Sequence, residues 1–115
     1  MSEIILPWPP TVLSPNDSSH WAKKAKVKKQ YRTEAWAITK AANIRVNPDN
    51  PIQLDITFVR PSRRSYDQDN LIARMKSGFD GIADGLGVND KLFRLGNITI
   101  TDHIGGMVKI TINSL

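Results

Sequence analysis

The sequence predicts a single α+β domain in which two helices cover one face of a small mixed or antiparallel sheet. Apolar and polar residues alternate from Ile52 to Phe58, as they do in a half-buried strand. Apolar residues recur every three to four positions between His20 and Asn43, which is typical of one helix face. Such patterns follow one another along the chain as β-α-β-α-β-β. Since no repeat or linker interrupts the 115 residues, we expect one domain, residues 1–115.

The first two elements are a short strand and a long helix. Ile4 to Leu6 form the strand, which ends at Pro7 because proline cannot donate a hydrogen bond to a sheet. The helix follows from His20 to about Asn43. Its expected inward-facing residues are Val27, Tyr31, Ala35, Ile38 and Ala42. We interpret the two tryptophans of this helix, Trp21 and Trp36, as further core anchors rather than as base-stacking surfaces.

The second half of the chain predicts one helix and two more strands. The helix begins at Asp69 or Asn70, either of which is a favourable N-cap, and ends near the glycines of 85–87. Its expected apolar face consists of Ile72, Met75, Phe79 and Ile82. Leu95 to Thr101 and Met107 to Ile112 are predicted strands, and the glycine-containing segment between them predicts a hairpin turn.

Composition excludes several classes of protein. The chain has no cysteine, so it has neither a disulfide scaffold nor thiolate chemistry. No apolar run approaches the roughly 20 residues of a membrane-spanning helix. The first residues lack the basic start and the long apolar run of a signal peptide. We therefore expect a cytoplasmic protein with no membrane partner.

The net charge of +5 is distributed unevenly along the chain. Residues 20–64 contain eleven Lys or Arg and three acids, whereas residues 67–102 contain six Asp and four Lys or Arg. The first helix carries six cations before its first acid, Glu34, so pairs four residues apart cannot neutralise them. A solvated helix face is one interpretation of such a run. Contact with the phosphates of a nucleic acid is the other, and we favour it.

Two aspartates one residue apart, Asp67 and Asp69, mark the start of the second helix. Their carboxylates repel each other unless a cation joins them, and Mg²⁺ prefers such oxygen ligands. An ordinary helix cap is the alternative interpretation. Helical spacing places Lys76 and Asp80 on the same stripe as Asp69. Asp90 follows a glycine turn and is a candidate third ligand, if the chain folds back toward the helix start.

These segments, in this order, resemble the RusA-type Holliday junction resolvases over nearly the whole chain. The matching segments are Leu6–Pro10, the basic helix, Arg63-Arg64 before Asp67-x-Asp69-Asn70, Lys76, Phe79–Ile82 and Asn89-Asp90. The resemblance implies a RusA-like fold and a homodimeric endonuclease that cuts four-way DNA junctions symmetrically. It also implies Mg²⁺ as cofactor, with Mn²⁺ as a substitute, and the cytoplasm of a bacterial or phage-infected cell.

The resemblance further implies roles for individual residues. Asp67, Asp69 and Asp90 correspond to the catalytic, metal-binding carboxylates, with Asp80 as a supporting metal ligand. Lys76 corresponds to the essential basic residue, although the family's lysine often follows the asparagine by three positions. This chain also has Asn89-Asp90 where the family often has two consecutive acids. The implied DNA-binding residues are Lys23, Lys24, Lys26, Lys28, Lys29, Arg63 and Arg64.

Two other functions stay open at this point. A non-catalytic basic DNA-binding protein would use the aspartates only as caps and surface pairs. A metal-dependent nucleotide hydrolase would act on free nucleotides. For the expected homodimer, the candidate residues of a shared sheet face or edge are Ile98, Ile100, Val108, Ile110 and Ile112.

Overall fold

The computed structural model describes residues 2–115 and confirms the α+β fold. The helices and strands are β1 Ser2–Pro7, α1 Trp21–Ala42, β2 Ile52–Val59, α2 Gln68–Arg74, α3 Lys76–Leu86, β3 Phe93–Ile100 and β4 Met107–Ser114. Two short 3-10 helices, Thr11–Leu13 and Asp90–Leu92, precede α1 and β3. None of the helices in the described residues is both long and apolar enough to span a membrane.

The four strands form a mixed sheet in the order β1-β4-β2-β3. β4 is antiparallel to both β1 and β2, while β2 and β3 are parallel and are connected by α2 and α3. The predicted hairpin between β3 and β4 is therefore wrong, because β2 lies between them. Their connection crosses the end of β2, where backbone N–H groups of Gly105 and Gly106 donate to the carbonyls of Arg60 (2.8 Å) and Val59 (2.9 Å).

One face of the sheet is buried beneath the helices. The side chains of β2 that point to this face, Ile52 to Phe58 at alternate positions, are at most 1% exposed. Burying each of them stabilises the fold by roughly 1.5–3 kcal/mol. On β4, Val108, Ile110 and Ile112 lie in the same core, so the suggestion that they form a surface shared between subunits is wrong.

The helices α1 and α3 pack closely because glycines face the contact. A Cβ atom on Gly81 would collide with the backbone carbonyl of Arg32, and one on Gly85 would lie 2.7 Å from Cβ of Thr39. On the α1 side, Tyr31 and Ala35 are buried as predicted. Thr39 is also buried, whereas the predicted core residue Ala42 is exposed; Val27 and Ile38 are partly buried.

The prediction that the two tryptophans of α1 are core anchors is wrong. Trp21 is 75% exposed and Trp36 is 43% exposed. Small residues fill the contact between α1 and α3, which leaves no space there for an indole. The tryptophan that does contact the core is Trp8, whose ring lies 6.0 Å from Phe58 and 5.2 Å from Tyr66.

The single helix predicted from position 69 to position 85 is two helices. Met75, with φ −81° and ψ −5°, separates α2 from α3, and its side chain is fully buried. The N-cap of α2 is Asp67 rather than Asp69 or Asn70, because its carboxylate accepts a hydrogen bond from the Asp69 backbone N–H. The predicted C-terminal end is confirmed, since Gly87 is left-handed with φ +72°.

Candidate nucleic-acid interface

A groove of about 590 Å³ runs along one side of α1. Its wall contains five cationic side chains and one carboxylate. We call it the basic groove, and its lining residues are Leu13, Pro15, Lys28, Lys29, Arg32, Ala73, Arg74, Lys76, Ser77 and Asp80. Lys28, Lys29 and Arg32 share a side of α1 because positions three and four apart in a helix are neighbours. The arrangement produces a concave surface with a strong excess of positive charge.

The residues predicted to bind DNA are divided by the fold. Lys28 and Lys29 line the basic groove, whereas the earlier lysines of α1, at positions 23, 24 and 26, do not. Arg64 lines a separate depression of about 270 Å³ that also contains Asp67. Arg63 is exposed in the loop between β2 and α2. The groove and the Arg64 depression are joined by Arg74, which lines both.

The aspartates at the start of α2 are exposed and have no cation within ion-pair distance in residues 2–115. The carboxylate of Asp67 accepts the backbone N–H of Asp69 at 3.3 Å. The adjacent Asn70 donates to the Ser14 hydroxyl at 2.8 Å and accepts from Nε of Arg74 at 3.0 Å. Asn70 therefore fixes α2 against the N-terminal loop and orients Arg74. Burial lowers the pKa of the Arg74 guanidinium from its ordinary value.

A second group of aspartates lies on α3 and the following 3-10 helix. Lys76 Nζ donates to Asp80 Oδ1 at 3.0 Å and to Asp90 Oδ2 at 3.1 Å. Arg32 of α1 binds Asp84 through Nε at 2.7 Å and through Nη2 at 3.0 Å. We call these five residues the paired cluster. Hydrogen bonds to Asp80 and Asp90 raise the pKa of Lys76, and the bond from Lys76 lowers the pKa of Asp90.

The residues predicted to bind Mg²⁺ thus occupy two places. Asp67 and Asp69 lie at the start of α2, while Asp80 and Asp90 lie beside Lys76 at the start of α3. Their oxygens have the chemistry that Mg²⁺ prefers. Even so, residues 2–115 contain no group of three or more metal-ligating side chains placed to hold an ion. The arrangement does not fit a preformed Mg²⁺ site, because no three of these carboxylates lie together and Asp90 is bound to Lys76.

Comparison with known proteins finds a relative of this chain. The chain is similar to an uncharacterized protein from Xylella fastidiosa (strain Temecula1 / ATCC 700964), with 37% identity over 120 residues. The similarity spans 100% of this chain and 78% of that protein. The chain belongs to the same family as that protein. No protein-family model matches this chain.

In this member of the family, two groove residues were missed by the sequence-based predictions. Arg74 lies four positions after Asn70, so their hydrogen bond follows helical spacing that was available in the sequence. Ser77 lies in the groove wall, is only 8% exposed, and its hydroxyl has no hydrogen-bond partner among the described residues. No local pattern distinguishes Ser77, since its burial depends on how α3 packs.

Proposed function

We propose that this protein binds branched DNA through the basic groove and resolves four-way junctions as a structure-specific endonuclease in recombination and repair. The observation that carries the proposal is the groove itself, whose five cations come from α1, α2 and α3. A concave surface of one charge attracts polyanions and raises their local concentration. The assignment of junction cutting rests on the resemblance of the sequence motifs to RusA-type resolvases.

Two of the groove cations have no competing partner. Lys28 and Lys29 form no ion pair within the described residues, whereas Arg32 and Lys76 are ion-paired with the aspartates of the paired cluster. We therefore assign phosphate binding first to Lys28 and Lys29, with Arg74 at the far side of the groove. Each phosphate that they neutralise releases counterions, so binding weakens steeply as salt rises.

The cutting step is hydrolysis of a phosphodiester. Water adds to phosphorus, and the bond from phosphorus to the 3′-oxygen breaks, which leaves a 5′-phosphate and a 3′-hydroxyl. Following the resemblance to RusA-type resolvases, we assign Asp67, Asp69 and Asp90 to this step, and Asp67 lines the depression that Arg74 joins to the groove. A homodimer matches the twofold symmetry of a junction and supplies two sites for paired cuts.

A second function is DNA binding without cutting. The division of the aspartates into two places, with no three-carboxylate group in residues 2–115, favours it. In this case the acids cap α2 and pair with Arg32 and Lys76, and the basic groove alone is functional.

The deciding experiment incubates a labelled four-way junction, and a matched linear duplex, with the protein in the presence and absence of Mg²⁺ or Mn²⁺. We expect symmetric cuts in the junction by the wild type and no cutting by Asp69→Asn. Binding by Asp69→Asn should be unchanged or tighter, because loss of a negative charge near phosphates does not weaken attraction. Binding without cutting by the wild type supports the second function. Normal cutting by Asp69→Asn refutes the assignment of the acids.

The binding half of the proposal has its own test. The double variant Lys28→Gln/Lys29→Gln should make the slope of log affinity against log salt shallower by roughly two units, because two phosphates are no longer neutralised. The matched control is Lys23→Gln/Lys26→Gln, which removes the same charge from α1 outside the groove. Equal changes in slope for the two double variants would show that the groove has no special part in binding.

A further inference from the structure

A tryptophan that is 43% exposed, Trp36, lies on the face of α1 that continues the basic groove. Trp36 lines a shallow depression of about 400 Å³ together with Lys29, Arg32, Thr33 and Asp84. The four residues of α1 in this set are spaced three, one and three apart, which places them on one helix face. Lys29 and Arg32 line both the groove and this depression, so the two surfaces are continuous.

The surroundings of Trp36 distinguish it from an ordinary exposed apolar residue. The side chain of the preceding residue, Ala35, faces Gly81 of α3, whereas Trp36 meets the glycines of α3 through backbone atoms, so its indole is not needed to fill this contact. Lys29 beside it has no ion pair in the described residues, while the charge of Arg32 is balanced by Asp84. The depression thus offers an aromatic ring next to a cation that is available to a phosphate.

We propose that Trp36 is a stacking position for an unpaired nucleobase whose neighbouring phosphates lie in the basic groove. The inference deepens the proposed function and rests on it, since it takes the polyanion in the groove to be DNA. A nucleobase has a flat face that an indole ring can cover, and such stacking tolerates any base. Bases inside a duplex are already stacked on both faces. Trp36 therefore selects DNA in which a base is released, as at a branch point or in a single strand.

The chain contains a matched control in Trp21. This indole is 75% exposed and is also on α1, where it lies against the His20 ring at 5.3 Å. It lies 15 residues before Trp36 in the sequence, a separation of about 22 Å along the helix, and it lines neither the groove nor the depression at Trp36. If exposure alone were sufficient for base stacking, the two tryptophans would behave alike.

The test uses a single-stranded oligothymidylate that contains one 2-aminopurine, whose fluorescence is quenched when it stacks. The variants are Trp36→Leu, which keeps an apolar side chain without a ring, Trp36→Phe, which keeps a ring, and Trp21→Leu as control. We expect Trp36→Leu to lose the quenching and to bind the strand roughly tenfold more weakly. Trp36→Phe should keep most of the quenching and most of the affinity, and Trp21→Leu should match the wild type in both. Circular dichroism checks that each variant is folded.

Each other outcome is decisive. Equal quenching and affinity in Trp36→Leu and wild type would overturn the proposal. So would a halved mass of Trp36→Leu in light scattering, because the indole would then be a contact with a second copy. Stacking that depends on Trp36, together with failure to bind or cut four-way junctions, would refute the resolvase function alone. A wild type that binds neither DNA would refute both proposals.

Discussion

Asp67 and Asp69 begin α2 with no cation beside them in the described residues, whereas Asp80, Asp84 and Asp90 share the cations of Arg32 and Lys76. The first group comes from one short segment and faces solvent. The second is assembled from α1, α3 and the 3-10 helix before β3. The aspartates of the second group are paired because the fold brings cations from other elements next to them. Those of the first group are unpaired because no cation lies next to them in the described residues.

The difference separates acids whose charge is already paired with a cation from acids whose charge is not. The pairs of the second group are half or more exposed on the cationic side, and such pairs each contribute at most about 1 kcal/mol. They also hold the side chains of Arg32 and Lys76, both of which line the groove. Asp67 and Asp69 form no ion pair in the described residues, so their charges stay open to an added cation.

The largest expected effect comes from disrupting the packing of α1 on α3, the two helices that carry most of the paired cluster. Gly81→Val places two methyl groups against the backbone of α1 and should lower the free energy of unfolding by about 3 kcal/mol, since the helices must separate. The measurement is urea denaturation. Gly87→Asn is the control, because that left-handed position has open space and asparagine tolerates it. Similar losses in both variants would contradict the close packing of α1 on α3.

A smaller effect is expected at the unpaired acids. Asp67→Ala removes the N-cap of α2 and should lower the free energy of unfolding by about 1 kcal/mol. Asp67→Asn keeps a capping oxygen and should be nearly neutral in the same denaturation experiment. A loss in Asp67→Asn as large as in Asp67→Ala would mean that the charge, and not the cap, stabilises this end of α2.

The smallest effect is expected at Lys76, and it depends on pH. The pKa of Asp90 is lowered below its ordinary 3.8 by Lys76, so the stability from this pair is present above that value and is lost as pH falls through the folded-state pKa. The raised pKa of Lys76 keeps the pair charged up to strongly alkaline pH. Lys76→Met should therefore melt slightly below the wild type at pH 7, and the gap should close in acid.

The control for this pH profile is Lys91→Met, since Lys91 forms no ion pair in residues 2–115. Its melting temperature should follow that of the wild type at every pH. A gap between Lys76→Met and wild type that stays constant from neutral pH into acid would contradict the pairing of Lys76 with Asp90.

The sequence by itself determined the four strands and the long helix α1, although not the break at Met75 between α2 and α3. The alternation along β2 and the helical spacing along α1 are local consequences of one side facing water and the other facing the core. The end of α3 at Gly87 is local as well, because a left-handed residue favours glycine. The grouping of Lys76 with Asp80 followed from helical spacing alone.

Tertiary structure decided what these elements bring together. Arg32 and Asp84 are 52 residues apart, and no local pattern encodes their contact. The position of β2 between β3 and β4 depends on which strands pair when the whole sheet assembles. The turn residues between β3 and β4 carry no information about this pairing, so the hairpin predicted from them was wrong. Likewise, the close contact between α1 and α3 decided that Trp36 lies outside the core, because backbone approach and not hydrophobicity set the space between the helices.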